Sequence, residues 1–202
     1  MLAFNNIGSL GRLGNQMFEY AAVRGIANTR GYDWCIPPPD RKGIENYSLH
    51  ECFKLDPHRN EGYFDHFQYV QERFFHYDQE LVDQCPDNVS LNGFFQSWRY
   101  FSHIDEIIRR DFTFHDEHLL PCKEMMEELE GEEPIMLHVR RGDPNLTDPR
   151  GFKWSYTQCG SMHPVQPVEY YEKALSHFDE DQPVVVFSDS VDWVKEQEFF
   201  SG

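Results

Sequence analysis

No stretch of the 202 residues is long and apolar enough to span a bilayer, and the opening Met1-Leu2-Ala3-Phe4-Asn5-Asn6 carries no basic segment leading into an apolar one. A cytoplasmic protein without membrane insertion is the expectation. Basic residues are scarce: 18 Lys+Arg stand against 35 Asp+Glu, a formal net charge of −17 that opposes any nonspecific hold on nucleic acid or an anionic membrane. An anionic ligand must therefore be met by arginines concentrated in one place. Paired cysteines are missing as well. Cys35, Cys52, Cys85, Cys122 and Cys159 are scattered without zinc or redox spacing, which reads as reduced thiols in a cytosol-like compartment. The ten histidines include no pair at ligand spacing with a third ligand at hand, so no metal is expected, and His115 with His118 reads as a solvated helix start. Gly/Ser-rich or Pro-rich tracts and internal repeats are absent, and a hydrophobic fraction of 40% describes a folded chain. In this context the Asn-x-Ser/Thr triplets at Asn46, Asn88 and Asn145 are read as chance.

What is present alternates between strand and helix patterns. Residues 2–7 read as a strand, followed by glycines at 8, 11 and 14, a helix over residues 15–30 capped by Asn15 and stopped at Gly31, and a strand over 32–36. This is a βαβ unit with its loop at a helix N-terminus, where free backbone N–H groups favour anions. The glycine spacing matches neither the dinucleotide fingerprint nor the Lys-containing phosphate loop. The loop can therefore be a ligand site or merely let the helix pack close to the sheet.

Residues 40–65 read as irregular, and 66–81 as strand or loop. A strand follows at 89–95, then a helix from Ser102 to about Arg110, and another over 117–130 with Pro121 in its first turn. A second βαβ unit comprises a strand at 134–139, a long polar loop at 144–167, a helix at 168–178 and the nearly all-apolar strand Val184-Val185-Val186-Phe187. Ser188-Asp189-Ser190 then caps a final helix. The acidic run from Glu124 to Glu133 reads as a solvated face, and a division falls between residues 125 and 133.

Chemistry concentrates at His138-Val139-Arg140-Arg141-Gly142-Asp143, the end of the apolar run Pro134-Ile135-Met136-Leu137. Unpaired charges at a strand end are poor core material, whereas open α/β sheets bind ligands at that edge. Adjacent guanidiniums fork toward two oxygens each and stay charged at any working pH, which suits a diphosphate. Ser188 and Asp189 end the neighbouring strand at the same edge.

Three blocks, Gly11-Arg12-Leu13-Gly14-Asn15-Gln16-Met17-Phe18-Glu19-Tyr20-Ala21-Ala22, His138 to Asp143, and Val186-Phe187-Ser188-Asp189-Ser190 with Trp193, together resemble the α-1,2-fucosyltransferases of glycosyltransferase family 11. Gly93-Phe94-Phe95-Gln96-Ser97 with Tyr100-Phe101, and His163-Pro164 with Tyr170-Tyr171, extend the likeness along the whole chain. The resemblance implies an α/β fold of two facing Rossmann-like halves, GT-B-like, with residues 1–130 as the acceptor-side half and 131–202 as the GDP-fucose-binding half. Further strands and helices usually follow the Phe-Ser-Asp block, including a Ser- and Trp-Trp-Gly-bearing motif, so the second half is expected to be incomplete, with an exposed sheet edge. The lack of a visible anchor fits a bacterial or viral member rather than a membrane-held animal one.

The implied reaction is inverting transfer of L-fucose from GDP-β-L-fucose to a glycan hydroxyl, α-1,2 to galactose, without a metal or other cofactor. By the same resemblance Arg140 and Arg141 hold the diphosphate, His138 falls on the same motif, Arg12, Gly14 and Asn15 approach the donor, and Ser188 and Asp189 reach guanosine or phosphate. Arg140 and Asp143 are the implied catalytic residues. Several readings stay open: Asp143 is either the base or a partner orienting Arg141, His138 reads more readily as a satisfied core histidine, and Trp98, Tyr100 and Phe101 lean toward core rather than sugar stacking. A non-catalytic sugar-nucleotide- or glycan-binding remnant, and an unrelated nucleotide-binding α/β protein, are the competing classes.

Overall fold

Short strands separated by helices pair in parallel only if each crossover lies on a face of the sheet, and the chain adopts that arrangement. The computed structural model describes residues 1–9, 11–40, 47–55, 60–61, 68–129, 133–142 and 164–200. Asp143, His163, the loop at 144–163 and the triplets at Asn46 and Asn145 lie outside the described residues. The chain divides into two compact units, Met1–Leu120 and Pro121–Gly202.

The first unit contains β1 (Leu2–Ala3), α1 (Leu13–Arg30), β2 (Trp34–Ile36), α2 (Leu49–Cys52), β3 (Asn60–Glu61), β4 (Gln68–Gln71), α3 (Gln79–Gln84), β5 (Val89–Asn92) and α4 (Asp105–Asp111). The sheet order is β3-β2-β1-β5-β4, and every neighbouring pair is parallel. The chain builds outward from β1 on one side and then returns through β4 and β5 on the other. At the β1/β5 junction two strands far apart in sequence lie side by side, so the segments that follow them emerge together at the strands' C-terminal ends.

The helix α1 holds this unit together. Its Ala21, Ala22, Ile26 and Ala27 pack with Leu2, Phe4, Ile36 and Leu91 in one core. Small side chains let it lie so deep that Gln16 and Glu19 are buried with the apolar residues. Gln16 answers this by accepting the backbone N–H of Ser48 at 3.0 Å. Asp111, also buried, is paired with Arg24 and accepts the Tyr20 hydroxyl at 2.9 Å. Removing one member of such a buried pair typically costs about 3–5 kcal/mol. Where α1 crosses the turn at Trp98–Tyr100, a Cβ on Gly25 would stand 2.2 Å from the Tyr100 carbonyl oxygen.

The helix α5 (Asp116–Glu128) spans the division between the units, and the second unit continues with β6 (Ile135–Val139), α6 (Val168–Leu175), β7 (Val184–Ser188) and α7 (Val191–Glu196). β6 and β7 pair in parallel, with Val139 opposite Ser188. Val139, Tyr171 and Val194 form the core, with Leu137, Val186, Trp193 and Phe200 packed against it.

Several local expectations need correction. The helix α1 begins at Leu13 with Arg12 at the cap position, so Asn15 sits inside the first turn. Pro121 is the sixth residue of α5, past the first turn, and forgoes one intrahelical hydrogen bond. Short α2 falls in the stretch read as irregular and α3 begins in the one read as strand or loop, started by Asp78, whose carboxylate accepts the Leu81 N–H. Ser102 belongs to a separate 3-10 turn at Ser102–Ile104 rather than capping α4. The nearly all-apolar β7, a pattern usual in strands covered on both faces, leaves Phe187 44% exposed. His138 is exposed rather than in the core, because the alternate residues of β6 face away from Tyr171 and Val194. His115 and His118 are more than a solvated helix start: their Nε2 atoms lie 3.1 and 2.9 Å from the carbonyls of His50 and Glu51.

Two outcomes test this packing. Gly25→Ala should lower the denaturant midpoint despite alanine's helix-propensity advantage of about 1 kcal/mol, because the two nearest obstructing atoms, the Tyr100 carbonyl oxygen and the Phe101 Cα, are backbone and overpacking costs about 1–3 kcal/mol. An unchanged or raised midpoint would contradict the close approach.

Glu19 provides the second outcome. Burial pushes its carboxyl from the ordinary 4.5 up to about 9, with the nearby Gly8 amide opposing the shift and Glu72 adding to it. Between those values the folded protein keeps a proton that the unfolded chain releases. That stabilisation is complete below about pH 4.5 and is lost as pH rises toward 9, with a limiting slope of about 1.4 kcal/mol per pH unit. Urea unfolding of Glu19→Gln across this range should lack the slope, whereas identical pH dependence in both proteins would mean that Glu19 is charged when folded.

Candidate functional site

Parallel pairing sets the chemistry of the second unit at one edge. Beyond Val139 and Ser188 the two strands have no further ladder partners, so the backbone amides of the following residues need other acceptors. Asp189 supplies them: its Oδ1 accepts the Arg141 N–H at 2.9 Å and its Oδ2 the Gly142 N–H at 3.1 Å. Gly142 adopts φ 74°, a left-handed conformation that a side chain would disfavour. The Ser190 hydroxyl donates to the Gly142 carbonyl at 2.9 Å, and the Ser190 N–H donates to the Ser188 Oγ at 2.9 Å. Ser190 therefore serves this network rather than capping α7 through its side chain.

The two arginines leave this turn differently. The Arg141 guanidinium lies 3.7 Å from the centre of the Trp193 ring and donates to the Gln166 carbonyl at 3.3 Å. Arg141 is half-buried and Arg140 exposed. Tyr171, buried beneath them, has its phenol pKa raised by burial, an effect that Arg141 opposes. The structure thus brings Arg141, Ser188 and Asp189 into one network, with Arg140 adjoining it in sequence and His138 exposed on β6.

In the first unit the polar residues gather at the C-terminal ends of β1, β4 and β5. Gly11, at φ 70°, has no room for a Cβ, which would overlap the Asn15 side chain. Asn15 Oδ1 accepts from Gln96 Nε2 at 2.5 Å. Asn6 donates to Asn92 at 3.0 Å, and Asn92 in turn donates to Gln71 at 2.5 Å. Glu72 accepts the Phe94 N–H at 2.7 Å, and a Cβ on Gly93 would collide with it. Arg12 and Gly14 are exposed, and a Cβ at Gly14 would meet nothing within 4 Å, so packing places no demand for glycine there.

The sequence singles out Asn15 but not Gln96 as its partner, and it assigns no role to Glu72 or the buried Glu19. The fixed spacing of Asn15 and Gln96 from their strands offered a signal only once β1 and β5 were known to be neighbours. Among the described residues, no three His, Cys, Asp or Glu side chains converge in a metal-binding group. Nor is any described helix long and apolar enough to cross a membrane.

A strand end that carries paired arginines can hold a phosphorylated ligand, and comparison with known proteins bears on which. The chain is 28% identical over 196 residues to the human galactoside alpha-(1,2)-fucosyltransferase 1, covering 92% of this chain and 50% of that one. It is 29% identical over 205 residues to the mouse galactoside alpha-(1,2)-fucosyltransferase 2, covering 94% and 54%. An alpha-1,2-colitosyltransferase of Escherichia coli is 26% identical over 216 residues, covering 95% and 71%. The chain therefore spans about half the length of the mammalian relatives. The model of the family described as glycosyl transferase family 11 matches residues 2–201, and the chain belongs to that family.

Proposed function

We propose that the chain transfers L-fucose from GDP-β-L-fucose to a galactose hydroxyl of a glycan, in α-1,2 linkage and with inversion. The observation that carries this reading is the Arg140-Arg141 pair, fixed at the C-terminal end of β6 in a chain of family 11 whose relatives include two named as galactoside alpha-(1,2)-fucosyltransferases. On this reading the two units are Rossmann-like halves of the GT-B kind, with the donor assigned to the second and the acceptor to the first.

The reaction needs stabilisation of departing GDP and removal of a proton from the attacking hydroxyl. Arginines remain charged at any working pH and fork toward phosphate oxygens, so Arg140 and Arg141 answer the first need without a metal. On this reading Arg140, exposed at the edge, meets the diphosphate, and Arg141, held against Trp193, contributes a fixed charge beside it. His138, Ser188, Arg12, Gly14 and Asn15 are the remaining proposed donor contacts. Asp143, proposed as the base, follows this turn directly in sequence.

Incubating the chain with GDP-fucose and a β-galactoside should release GDP only when both are present. Saturable GDP-fucose binding without turnover would instead favour a non-catalytic role, and preference for another nucleotide would remove the donor assignment. Arg140→Ala should lower turnover by about two to three powers of ten, as loss of a transition-state charge contact does, while leaving the unfolding transition in place. A folded Arg140→Ala with full activity would overturn the assignment.

A further inference from the structure

Asp189 presents a contradiction if it is taken as a ligand contact. A carboxylate beside a diphosphate repels it, and both Asp189 oxygens already accept backbone N–H groups, from Arg141 at 2.9 Å and Gly142 at 3.1 Å. Those amides are 48 and 47 residues upstream and belong to the turn from which the arginine pair projects. We infer that Asp189 is a positioning residue: its carboxylate clamps the Arg141–Gly142 backbone at the end of β6 and so sets where both guanidiniums are presented, without itself touching the ligand. The inference rests on the reading of the pair as a diphosphate site.

Three features support the clamp. Gly142 turns the chain at φ 74°, one of several conformations open to glycine, so local propensity alone does not fix the turn and a tie from outside it does. Ser190 supplies a second tie in the opposite sense, donating its hydroxyl to the Gly142 carbonyl at 2.9 Å, so N–H and C=O of one residue are both fixed from the β7 side. The Arg141 side chain is then secured by the Trp193 ring and the Gln166 carbonyl, contacts that depend on where its backbone stands. Two amide donors also disperse the carboxylate's charge, which reduces its repulsion of an anion nearby.

The sign of one substitution separates this role from a bystander charge. Asp189→Asn keeps the side-chain shape but leaves an amide nitrogen facing one of the two N–H groups. If Asp189 only contributes negative charge, removing it should tighten binding of an anion. The clamp predicts the reverse. Titration calorimetry with GDP should show about ten-fold weaker binding to Asp189→Asn, the cost of re-ordering a turn that has lost a charge-assisted hydrogen bond, in a protein that still unfolds in one cooperative transition. Asp192→Asn, which removes the same charge from an exposed position in the first turn of α7, should bind GDP as the unsubstituted protein does.

Amide hydrogen exchange followed by NMR gives a readout that needs no ligand: the Arg141 and Gly142 amides should exchange faster in Asp189→Asn and not in Asp192→Asn. Unchanged exchange at both amides, or GDP binding as tight as in Asp192→Asn, overturns the proposal. If Asp189→Asn does not fold, Ser190→Ala should show a smaller loss in the same direction, and its failure to do so counts equally against the clamp. Should the unsubstituted protein not bind GDP while the amide result holds, the nucleotide reading falls and the clamp stands.

Discussion

Parallel strand pairing is the constraint on which the rest of this structure depends. Because every neighbouring pair of strands runs the same way, the segments that follow the strands emerge at one edge of each sheet. In the first unit this gathers Asn6 after β1, Glu72 after β4 and Gln96 beyond β5. In the second it sets Arg140 and Arg141 beside Ser188 and Asp189. With Val139 opposite Ser188, the next residue along β7 is Asp189, within reach of the amides two and three residues past the end of the β6 ladder. An antiparallel pairing would carry Asp189 to the far end of β6, and a slip by one residue would aim its carboxylate at the other face.

A chain with formal charge −17 must also keep its own carboxylates from spoiling its interior and the basic edge beyond β6. Three carboxyl groups show three solutions. Glu19, buried in α1, stays protonated because burial outweighs the nearby Gly8 amide. Asp111 stays paired with Arg24 and with the Tyr20 hydroxyl, which compensates for its removal from water. Asp189 lies where negative charge is least welcome, and its two oxygens are turned onto backbone amides. Only the last of these places a charge in the service of a second site.

The sequence made some of this legible for identifiable reasons. The helix α1 could be located because Gly31 stops it and alanines mark its packed face, and β6 because an apolar run ends abruptly in charge. Other elements resisted. Only four residues long, α2 shows no period, and α3 announces itself only through Asp78 among mixed aromatic and polar neighbours. Asn15 looked like a cap from its residue type, yet the helix starts two residues earlier and Asn15 bonds Gln96 instead. Ser190 misled in the same way, since its hydroxyl reaches Gly142, 48 residues away. The residue types at the edge could be read locally, but their partners depend on sheet order and register, which no local pattern encodes.

That distinction changes what the arginine pair is. As sequence it is two equal charges, and either could be a lysine without loss of net charge. In the structure Arg141 is committed through its planar guanidinium, which lies over the Trp193 ring and donates in its own plane to the Gln166 carbonyl. An ammonium group has no plane to stack and is more strongly hydrated, so it would not hold that position as well. Arg140 remains exposed at the edge. Arg141 is thus part of the frame and Arg140 adjoins it at the edge, and both depend on a backbone turn fixed by a carboxylate from the adjacent strand.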